Sequence, residues 1–395
     1  MKRTLLLHLL GLFAGSGFVH AGELTNPNAS TAIIALGPYC QALSPETMVV
    51  KWQTDQPAYG WVEYGETENL GRKQDTVEHG LRRANVRQHR VALEGLRAGT
   101  TYWYRVHAKP IRSFGAYKVE FGPEVRSETA SFKTLPGPKQ ALTAVVFNDL
   151  HNSLPTFQGV ANAVKSVPFD FSLFNGDCLA DPAQASQAFT SLAAFTHGVH
   201  ANKRPAFFVR GNHETRGAYA RELAELWNWP GDKPYFAFSA GPVRFLVLDC
   251  GEDKSDDHKE YSGLVDFDSF RHAETQWLNA ELRSKAFRRA TWRVLVVHIP
   301  LYPTVKNGGN SKTAQELWEP MLTKARIDLA LHAHLHRAAW HPARSVGNPY
   351  PLLIGGGNQQ TNSTVMVLEA DNQRLELRTL NAEGKEVLPV FKKKR

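Results

Sequence analysis

The chain has 395 residues, of which 42% are hydrophobic and 21% charged, a balance typical of a folded protein with a sizeable core rather than a disordered or fibrous one. This length predicts two or three domains and excludes a single small binding module. The formal net charge is +8, but two positive charges lie in the first 21 residues and four in Lys392–Arg395. The remaining chain is nearly neutral and has no interleaved aromatic and basic residues, so nucleic acid is not an expected partner.

Residues 1–21 have the features of a secretory signal peptide. Two basic residues precede an apolar run over residues 5–18, and Ala21 provides a small residue at a cleavage site. The apolar run is shorter than the ~20 residues that a membrane-spanning helix needs. We therefore expect cleavage after Ala21, a secreted or periplasmic protein, and no membrane span after cleavage.

The three cysteines, Cys40, Cys178 and Cys250, are far apart in the sequence and form no Cys-x-x-Cys pair. An exported protein can form disulfides, and three cysteines allow one at most. A zinc site built from thiolates is not expected.

Residues 31–135 are predicted to form a small all-β domain. Short strands with alternating polarity are separated by turn residues, as in an antiparallel sandwich. The predicted strands are Met48–Trp52, Gly60–Tyr64, His89–Leu93, Tyr102–His107 and Ala130–Phe132. The stretch 96–106, with Trp52 upstream, resembles a fibronectin type III-like module, and this resemblance implies a structural tyrosine-corner role for Tyr102.

The sequence Pro136-Gly137-Pro138 predicts a domain boundary, and residues 139–395 then show a different periodicity. Wholly apolar strand-like runs alternate with helical stretches, which indicates an α/β core with buried strands. The predicted strands are Leu142–Phe147, Phe169–Phe174, Ala206–Val209, Phe245–Leu248, Val294–Val297 and Ile327–Leu331, with a closing hairpin of Ser363–Leu368 and Arg374–Leu380. The predicted helices are Phe157–Ser166, Ala183–His197, Ala218–Trp227, Ala273–Ala286 and Ala314–Thr323.

Five of these buried strands are followed directly by polar clusters. The clusters are Asn148-Asp149-Leu150-His151, Asn175-Gly176-Asp177, Arg210-Gly211-Asn212-His213-Glu214, His298-Ile299-Pro300 and His332-Ala333-His334-Leu335-His336. Any one of them is a weak signal, but ligands of open α/β sheets collect outside the carboxyl ends of the strands. The five together therefore predict one polar site.

The residue types in these clusters fit a pair of metal ions. Oxygen and imidazole donors suit several first-row ions, and a carboxylate can bridge two of them. Asp149 and His151 are two residues apart, as are His334 and His336, so in an extended strand end each pair is expected to point to one side.

These clusters resemble the calcineurin-like metallophosphoesterases, and with the N-terminal sandwich the chain resembles the purple-acid-phosphatase branch, from about residue 31 to beyond residue 370. The resemblance implies a metallophosphoesterase β-sandwich flanked by helices after the small all-β domain. It also implies two metal sites that share Asp177. One would add Asp149, His151 and His336, and the other Asn212, His298 and His334.

The sequence departs from purple acid phosphatases in three places. The metal-ligating tyrosine expected three residues after the bridging Asp177 is Ala180, while His151 is present where those enzymes lack a histidine. The aspartate that orients the catalytic histidine is expected at residue 180 but stands at Asp181, so Asp181 or Glu214 is expected to do this work. The glycine expected before the last histidine pair is Ala333, preceded by His332, which is not counted as a ligand.

We expect an exported phosphatase that uses two divalent or trivalent metal ions, Fe, Mn or Zn, to hydrolyse a small phosphomonoester. The resemblance implies that a hydroxide bridging the metals attacks phosphorus and that His213 is the general acid. Candidate substrate-binding residues, in loops after strands, are Arg210, His258 and Tyr302. The alternatives are a phosphodiesterase with the same metal core and a secreted binding protein without catalysis. The sequence leaves the oligomeric state open.

Overall fold

The computed structural model describes residues 34–42, 44–305 and 309–395. The predicted signal peptide lies outside the described residues, as do the first three residues of the predicted β domain. Within the described ranges, no helix is both long enough and apolar enough to cross a membrane.

The N-terminal part is all-β, as predicted. Its strands are β1 Ile34–Gln41, β2 Met48–Gly65, β3 Arg72–Gln74, β4 Val77–Glu78, β5 Leu81–Arg82, β6 Val86–Leu93, β7 Thr101–Phe114, β8 Val119–Phe121, β9 Val125–Arg126 and β10 Ala130–Lys133. The sheet order is β1-β2-β7-β10, with β3 and β6 on β2 and with β8 and β9 on β7, and β4 pairs with β5.

Strand β2 joins the first two predicted strands into one strand of 18 residues. Its first half pairs with β1 and β6, and its second half, from Ala58, pairs with β7. The register against β6 shifts between Gln53 and Ala58, and Pro57 lies in this irregular stretch, where a missing N–H is tolerated. This bulge lets a single strand continue across the gap between the two predicted strands.

Tyr102 lies where its predicted structural role requires. The side chain is 1% exposed, and the Arg97 backbone N–H donates a hydrogen bond to its hydroxyl oxygen at 3.0 Å. A buried tyrosine hydroxyl usually finds a polar partner, and here the bond ties the loop before β7 to the core.

The remainder is a mixed α/β body with two six-stranded sheets, in agreement with the predicted fold class. Its strands are β11 Leu142–Phe147, β12 Phe171–Asn175, β13 Ala206–Val209, β14 Phe236–Ala240, β15 Val243–Leu248, β16 Trp292–Val297, β17 Leu329–His332, β18 Ala339–His341, β19 Leu352–Ile354, β20 Thr364–Ala370, β21 Arg374–Asn381 and β22 Phe391–Lys394. The sheet orders are β13-β12-β11-β20-β21-β22 and β14-β15-β16-β17-β19-β18. Strands β11 to β13 are parallel, as are β15, β16, β17 and β19.

The α-helices are α1 Leu154–Ala163, α2 Ala185–Gly198, α3 Leu223–Trp227, α4 Phe267–Glu281, α5 Lys285–Arg289 and α6 Lys312–Leu322. Alternation along β16 explains how sheets and helices pack. Val294 and Val296 belong to the core that contains residues of both sheets, whereas Leu295 and Val297 pack with Leu278 of α4 and with α6. Each face of this strand is therefore buried, which is why it reads as a continuous apolar run.

The N-terminal domain holds the end of α3 through three side chains. Lys51 Nζ donates to the backbone oxygens of Glu225 and Leu226 at 2.5 and 2.7 Å, and Tyr39 and Gln41 donate to those of Leu226 and Trp227. The last carbonyl groups of a helix have no partner within the helix, so these donors satisfy groups that burial would leave unpaired.

In the α/β body, the strands that the sequence did not predict are all short, with three to five residues each. They are β14, β18, β19 and β22. The basic end of the chain forms β22, which pairs with β21, and Lys393 Nζ donates to Asp328 at 2.5 Å. The predicted helix 218–227 is instead a 3-10 turn, Ala218–Glu222, followed by the short α3.

All three cysteines are buried and free. Their burial raises the pKa of each thiol above its ordinary value, so each behaves as a small apolar side chain.

Candidate metal centre

The seven side chains predicted to bind metal lie together. They follow β11, β12 and β13 of one sheet and β16 and β17 of the other, and each of these strands has a parallel partner. The donors form three overlapping groups, and within each group the donor atoms lie within 4.8 Å of one another: Asp149, His151 and His336; His151, Asp177 and His213; and Asp177, His298 and His334. The prediction of one polar site at the strand ends thus agrees with the geometry.

The way in which the donors converge differs from the expectation. Asp149, His151, His334 and His336 have φ of 49°, 45°, 72° and 52°, so neither pair lies in extended backbone, and Asp177 has φ of 49°. Left-handed backbone is unfavourable for residues other than glycine and persists where the surrounding structure enforces it. The turns therefore direct the side chains, at a cost in local stability.

Backbone hydrogen bonds between adjacent loops hold these turns. Asp149 N–H donates to Gly176 O at 3.0 Å, and His151 N–H donates to Asp177 O at 2.8 Å. A Cβ added at Gly176 would lie 2.3 Å from His298 Nδ1, and one at Gly211 would lie 2.2 Å from Asp177 Oδ1. Both glycines are thus required for close approach of the loops.

One group of donors surrounds the Asp149 carboxylate. His336 Nε2 lies 3.4 Å from Asp149 Oδ1, and His151 Nε2 lies 3.0 Å from His336 Nε2. His151 Nε2 also lies 3.8 Å from Asp177 Oδ2. Two imidazole nitrogens and two carboxylates facing one another form a donor set suited to a first-row metal ion.

The second group surrounds the other side of Asp177. His298 Nε2 lies 3.0 Å from Asp177 Oδ2, and His334 Nδ1 lies 2.8 Å from Asn212 Oδ1. The Asn212 side-chain amide lies between Asp177 Oδ2, at 3.3 Å, and Arg216 Nη2, at 3.2 Å. An amide, two imidazoles and a carboxylate form a mixed nitrogen and oxygen donor set that suits a first-row metal ion. The residues present therefore fit a second metal ion.

Asp177 is the carboxylate that both groups share. It is 1% exposed, and although burial alone would raise the pKa of this carboxyl, His298 and the neighbouring histidines hold it well below its ordinary value. Asp177 Oδ1 also accepts a hydrogen bond from the His213 backbone N–H at 2.9 Å. A buried carboxylate kept ionised between two sets of nitrogen donors is suited to bridging two cations.

The structure separates the two candidates for orienting His213. Asp181 Oδ1 lies 3.0 Å from His213 Nδ1, whereas Glu214 accepts backbone N–H bonds from Asp177, Leu179 and Gly211, each at 2.8 Å. His213 Nε2 faces the cluster, 4.0 Å from Asp177 Oδ2. Asp181 therefore orients the ring, and Glu214 holds the loops together.

The three candidate substrate-binding residues have partners other than the seven candidate ligands in the contacts of the described residues. Arg210 Nε donates to the buried Asp249 at 2.7 Å, and His258 accepts from Glu260 N–H at the start of a 3-10 turn. Tyr302 is 0% exposed and packs against Tyr350 in the core. A wholly buried tyrosine is out of reach of a substrate in this conformation.

His332 lies outside the cluster, as its exclusion from the ligands requires. It is 0% exposed, with its Nδ1 2.9 Å from Val297 O, and burial lowers the pKa of its ring to about 4. Ala180, in place of the expected tyrosine, accepts a hydrogen bond from Gln187 through its backbone oxygen.

The loop after β15 contributes charged residues that the sequence analysis missed. Glu252 is bound by Arg216 through two nitrogens, at 2.7 and 3.0 Å, and Asp253 Oδ2 lies 3.6 Å from His334 Nε2. The run Asp249-Cys250-Gly251-Glu252-Asp253 follows a buried strand, as the other clusters do, and this position was the available signal.

Two protein-family models match the chain. Residues 142–338 match the calcineurin-like phosphoesterase model, and residues 39–134 match the purple acid phosphatase N-terminal domain. Purple acid phosphatase 22 of Arabidopsis thaliana is 26% identical over 294 residues, which cover 69% of this chain and 59% of that protein. Purple acid phosphatase 18 of the same plant is 22% identical over 340 residues, covering 79% and 69%. The chain thus spans about 59% of the length of the first of these relatives.

Solved structures share the fold. The purple acid phosphatase PPD1 from yellow lupin seeds has a TM-score of 0.64 at 16% identity. The superposition covers 93% of this chain and 75% of the lupin chain. PhoD has a TM-score of 0.59 at 12% identity, with coverage of 90% and 89%. The likeness to both extends over the N-terminal domain and the α/β body together.

Proposed function

The chain belongs to the calcineurin-like metallophosphoesterases and carries a purple acid phosphatase N-terminal domain, and from this premise we propose that it is a two-metal phosphomonoesterase. The observation that carries the proposal is the convergence of Asp149, His151, Asp177, Asn212, His298, His334 and His336 beside a histidine that is not needed as a ligand. The preference for monoesters is supported by the phosphatase relatives.

The chemistry that bound cations would supply here is an activated water and neutralisation of the charge that develops on the phosphoryl oxygens. Asp177 would contact both cations. Asp149, His151 and His336 would complete one site, and Asn212, His298 and His334 the other. The metals are Fe, Mn or Zn, since mixed nitrogen and oxygen donors suit all three.

His213 supplies the proton that the departing alcohol needs. Its Nδ1 lies 3.0 Å from Asp181 Oδ1, so Asp181 accepts the Nδ1–H and leaves Nε2 directed towards the cluster. The ring is 26% exposed, which lets it exchange protons with solvent between turnovers. General acid catalysis of this kind typically contributes 10² to 10⁴ in rate.

Paired assays test the proposal. The metal-free protein is reconstituted with Mn²⁺, Zn²⁺ or iron and assayed with an aryl phosphate monoester and the matching diester. We expect hydrolysis only after reconstitution, with kcat/KM higher for the monoester. A higher value for the diester would favour the phosphodiesterase, and no metal uptake would favour the binding protein.

The proposal includes export, which rests on the sequence of residues 1–21 alone. Expression in a host with the corresponding secretion pathway and mass spectrometry of the mature protein test it. A first residue of Gly22 is expected, and an intact leader on active protein would contradict export.

A further inference from the structure

The His334 ring presents its two nitrogens to different surroundings. Nδ1 lies 2.8 Å from Asn212 Oδ1, on the side of the second donor group. Nε2 lies 3.6 Å from Asp253 Oδ2, on the opposite side. Since a neutral imidazole carries one N–H, whichever nitrogen holds the proton leaves the other with the free electron pair.

Asp253 is held in place beside this ring. Its side chain is 22% exposed, and Lys254 Nζ donates to Asp253 Oδ1 at 2.9 Å. The preceding residue, Glu252, accepts two hydrogen bonds from Arg216 and one from Thr215 Oγ1 at 3.3 Å. The loop of Asp253 is thus fastened to the segment that carries Asn212 and His213.

The two carboxylate oxygens of Asp253 have different neighbours: Oδ1 accepts from Lys254, and Oδ2 faces the His334 ring. An anion on the outer side of the ring favours a proton on Nε2. Metal-binding histidines commonly donate their other N–H to a carboxylate, which fixes the ring orientation and makes the ligand more basic.

We propose that Asp253 is a positioning residue whose carboxylate, 3.6 Å from His334 Nε2, favours the ring proton on that nitrogen and so directs the Nδ1 electron pair to the second metal site. This inference rests on the proposed two-metal function. In the contacts of the described residues, Asp253 faces only His334 among the seven candidate ligands. Loss of Asp253 should therefore weaken the binding of only one of the two ions.

Titration of metal-free protein with Co²⁺, followed by calorimetry and by the visible spectrum of bound Co²⁺, tests the proposal. Wild type should bind two ions. Asp253→Ala should bind the first with unchanged affinity and the second 10- to 100-fold more weakly, the usual effect of removing the carboxylate behind a metal-binding histidine. Asp253→Asn retains an acceptor oxygen and should restore part of the loss.

Asp257→Ala is the matched control, because Asp257 lies in the same loop and contacts Ser255 rather than a candidate ligand. It should bind both ions as wild type does. The positioning role would be overturned, with the metal centre left intact, in either of two cases. The Asp253→Ala variant could bind both ions with the wild-type affinities, or its affinity for both could fall equally. Fewer than two ions on wild type would overturn the metal centre as well. Circular dichroism identifies a misfolded alanine variant, in which case Asp253→Asn decides between these outcomes.

Discussion

Buried histidines occur in both the N-terminal domain and the strand-end cluster, yet their surroundings differ. His89 stacks on Trp52 with ring centroids 4.9 Å apart, its Nε2 lies 3.0 Å from Thr54 Oγ1, and burial lowers the pKa of the ring to about 4. His107 bonds Glu63 through one nitrogen and Glu124 through the other. Both lie in regular strands, β6 and β7. Each ring has its own polar partners and needs no further group.

The cluster histidines instead face one another and buried carboxylates. His151 and His336 meet nitrogen to nitrogen at 3.0 Å, and both have a positive φ. Burial alone therefore does not mark a functional histidine. What distinguishes the cluster is several donors aimed at one point by strained backbone, an arrangement that stability alone does not favour.

The largest expected effect is loss of metal, which a substitution in the strand-end cluster should cause and one in the N-terminal domain should not. Asp177→Asn removes charge from the carboxylate that both donor groups share, so we expect loss of metal and a fall in kcat/KM of more than ~100-fold, the upper end of the effect of removing a residue behind a ligand. Elemental analysis and steady-state kinetics measure both.

His89→Gln is the matched control, since it alters a buried histidine of the N-terminal domain. It should keep the metal and lose about 1 kcal/mol of unfolding free energy. Equal metal loss in Asp177→Asn and His89→Gln would contradict the assignment of metal binding to the strand-end cluster alone.

His213→Ala sharpens the comparison within the cluster. His213 is positioned by Asp181 rather than needed as a ligand, so the variant should keep its metal and lose ~10² to 10⁴ in kcat. A substrate with a good leaving group should suffer less, because it needs less protonation. Normal turnover with an alkyl phosphate would remove the assigned role.

Lys51 gives a pH dependence that belongs to the interface of the N-terminal domain with α3. Burial, with the Arg90 charge second, lowers the pKa of Lys51 from 10.5 to about 7. Between these values the unfolded chain binds more protons than the folded chain, so the free energy of unfolding should rise as pH increases from 7 towards 10. Below pH 7 the slope vanishes because Lys51 is protonated in both states, and the full cost of burying its charge is then present.

Lys51→Met should reduce the slope of stability against pH by up to ~1.4 kcal/mol per pH unit in this window. Urea unfolding at pH 7, 8 and 9 measures it. Lys118→Met, at an exposed position, is the control and should leave the slope unchanged. A Lys51→Met slope equal to that of wild type would contradict the depressed pKa.

The smallest effect concerns colour. Ala180 stands where the resemblance to purple acid phosphatases implies a tyrosine ligand, so iron-reconstituted protein should show no tyrosinate-to-iron band in its visible spectrum. Purple protein would contradict this assignment and would require another tyrosine at the metal.

The sequence was most informative where chemistry and periodicity coincide. Strands β11 and β13 have the predicted bounds because continuous apolar runs end at polar clusters. β19 was missed because three apolar residues carry no periodicity, and β22 was missed because its lysines resemble a solvated tail. Seven donors could be gathered from their positions after strands.

Other parts of the site depend on three-dimensional packing. The positive φ of Asp149 and His151 arises from bonds to the loop after β12, which no local pattern encodes. Tyr302 follows a strand but turns into the core, and Asp253 faces His334 from a loop 81 residues away in sequence. Residues in loops after strands therefore need coordinates before a role can be assigned.

Anomalous diffraction from crystals of protein reconstituted with Mn²⁺ or Zn²⁺ tests the central claim most directly. The account predicts two peaks per chain, ~3.5–4 Å apart, with Asp177 touching both. A single peak, or peaks away from these seven side chains, would contradict it.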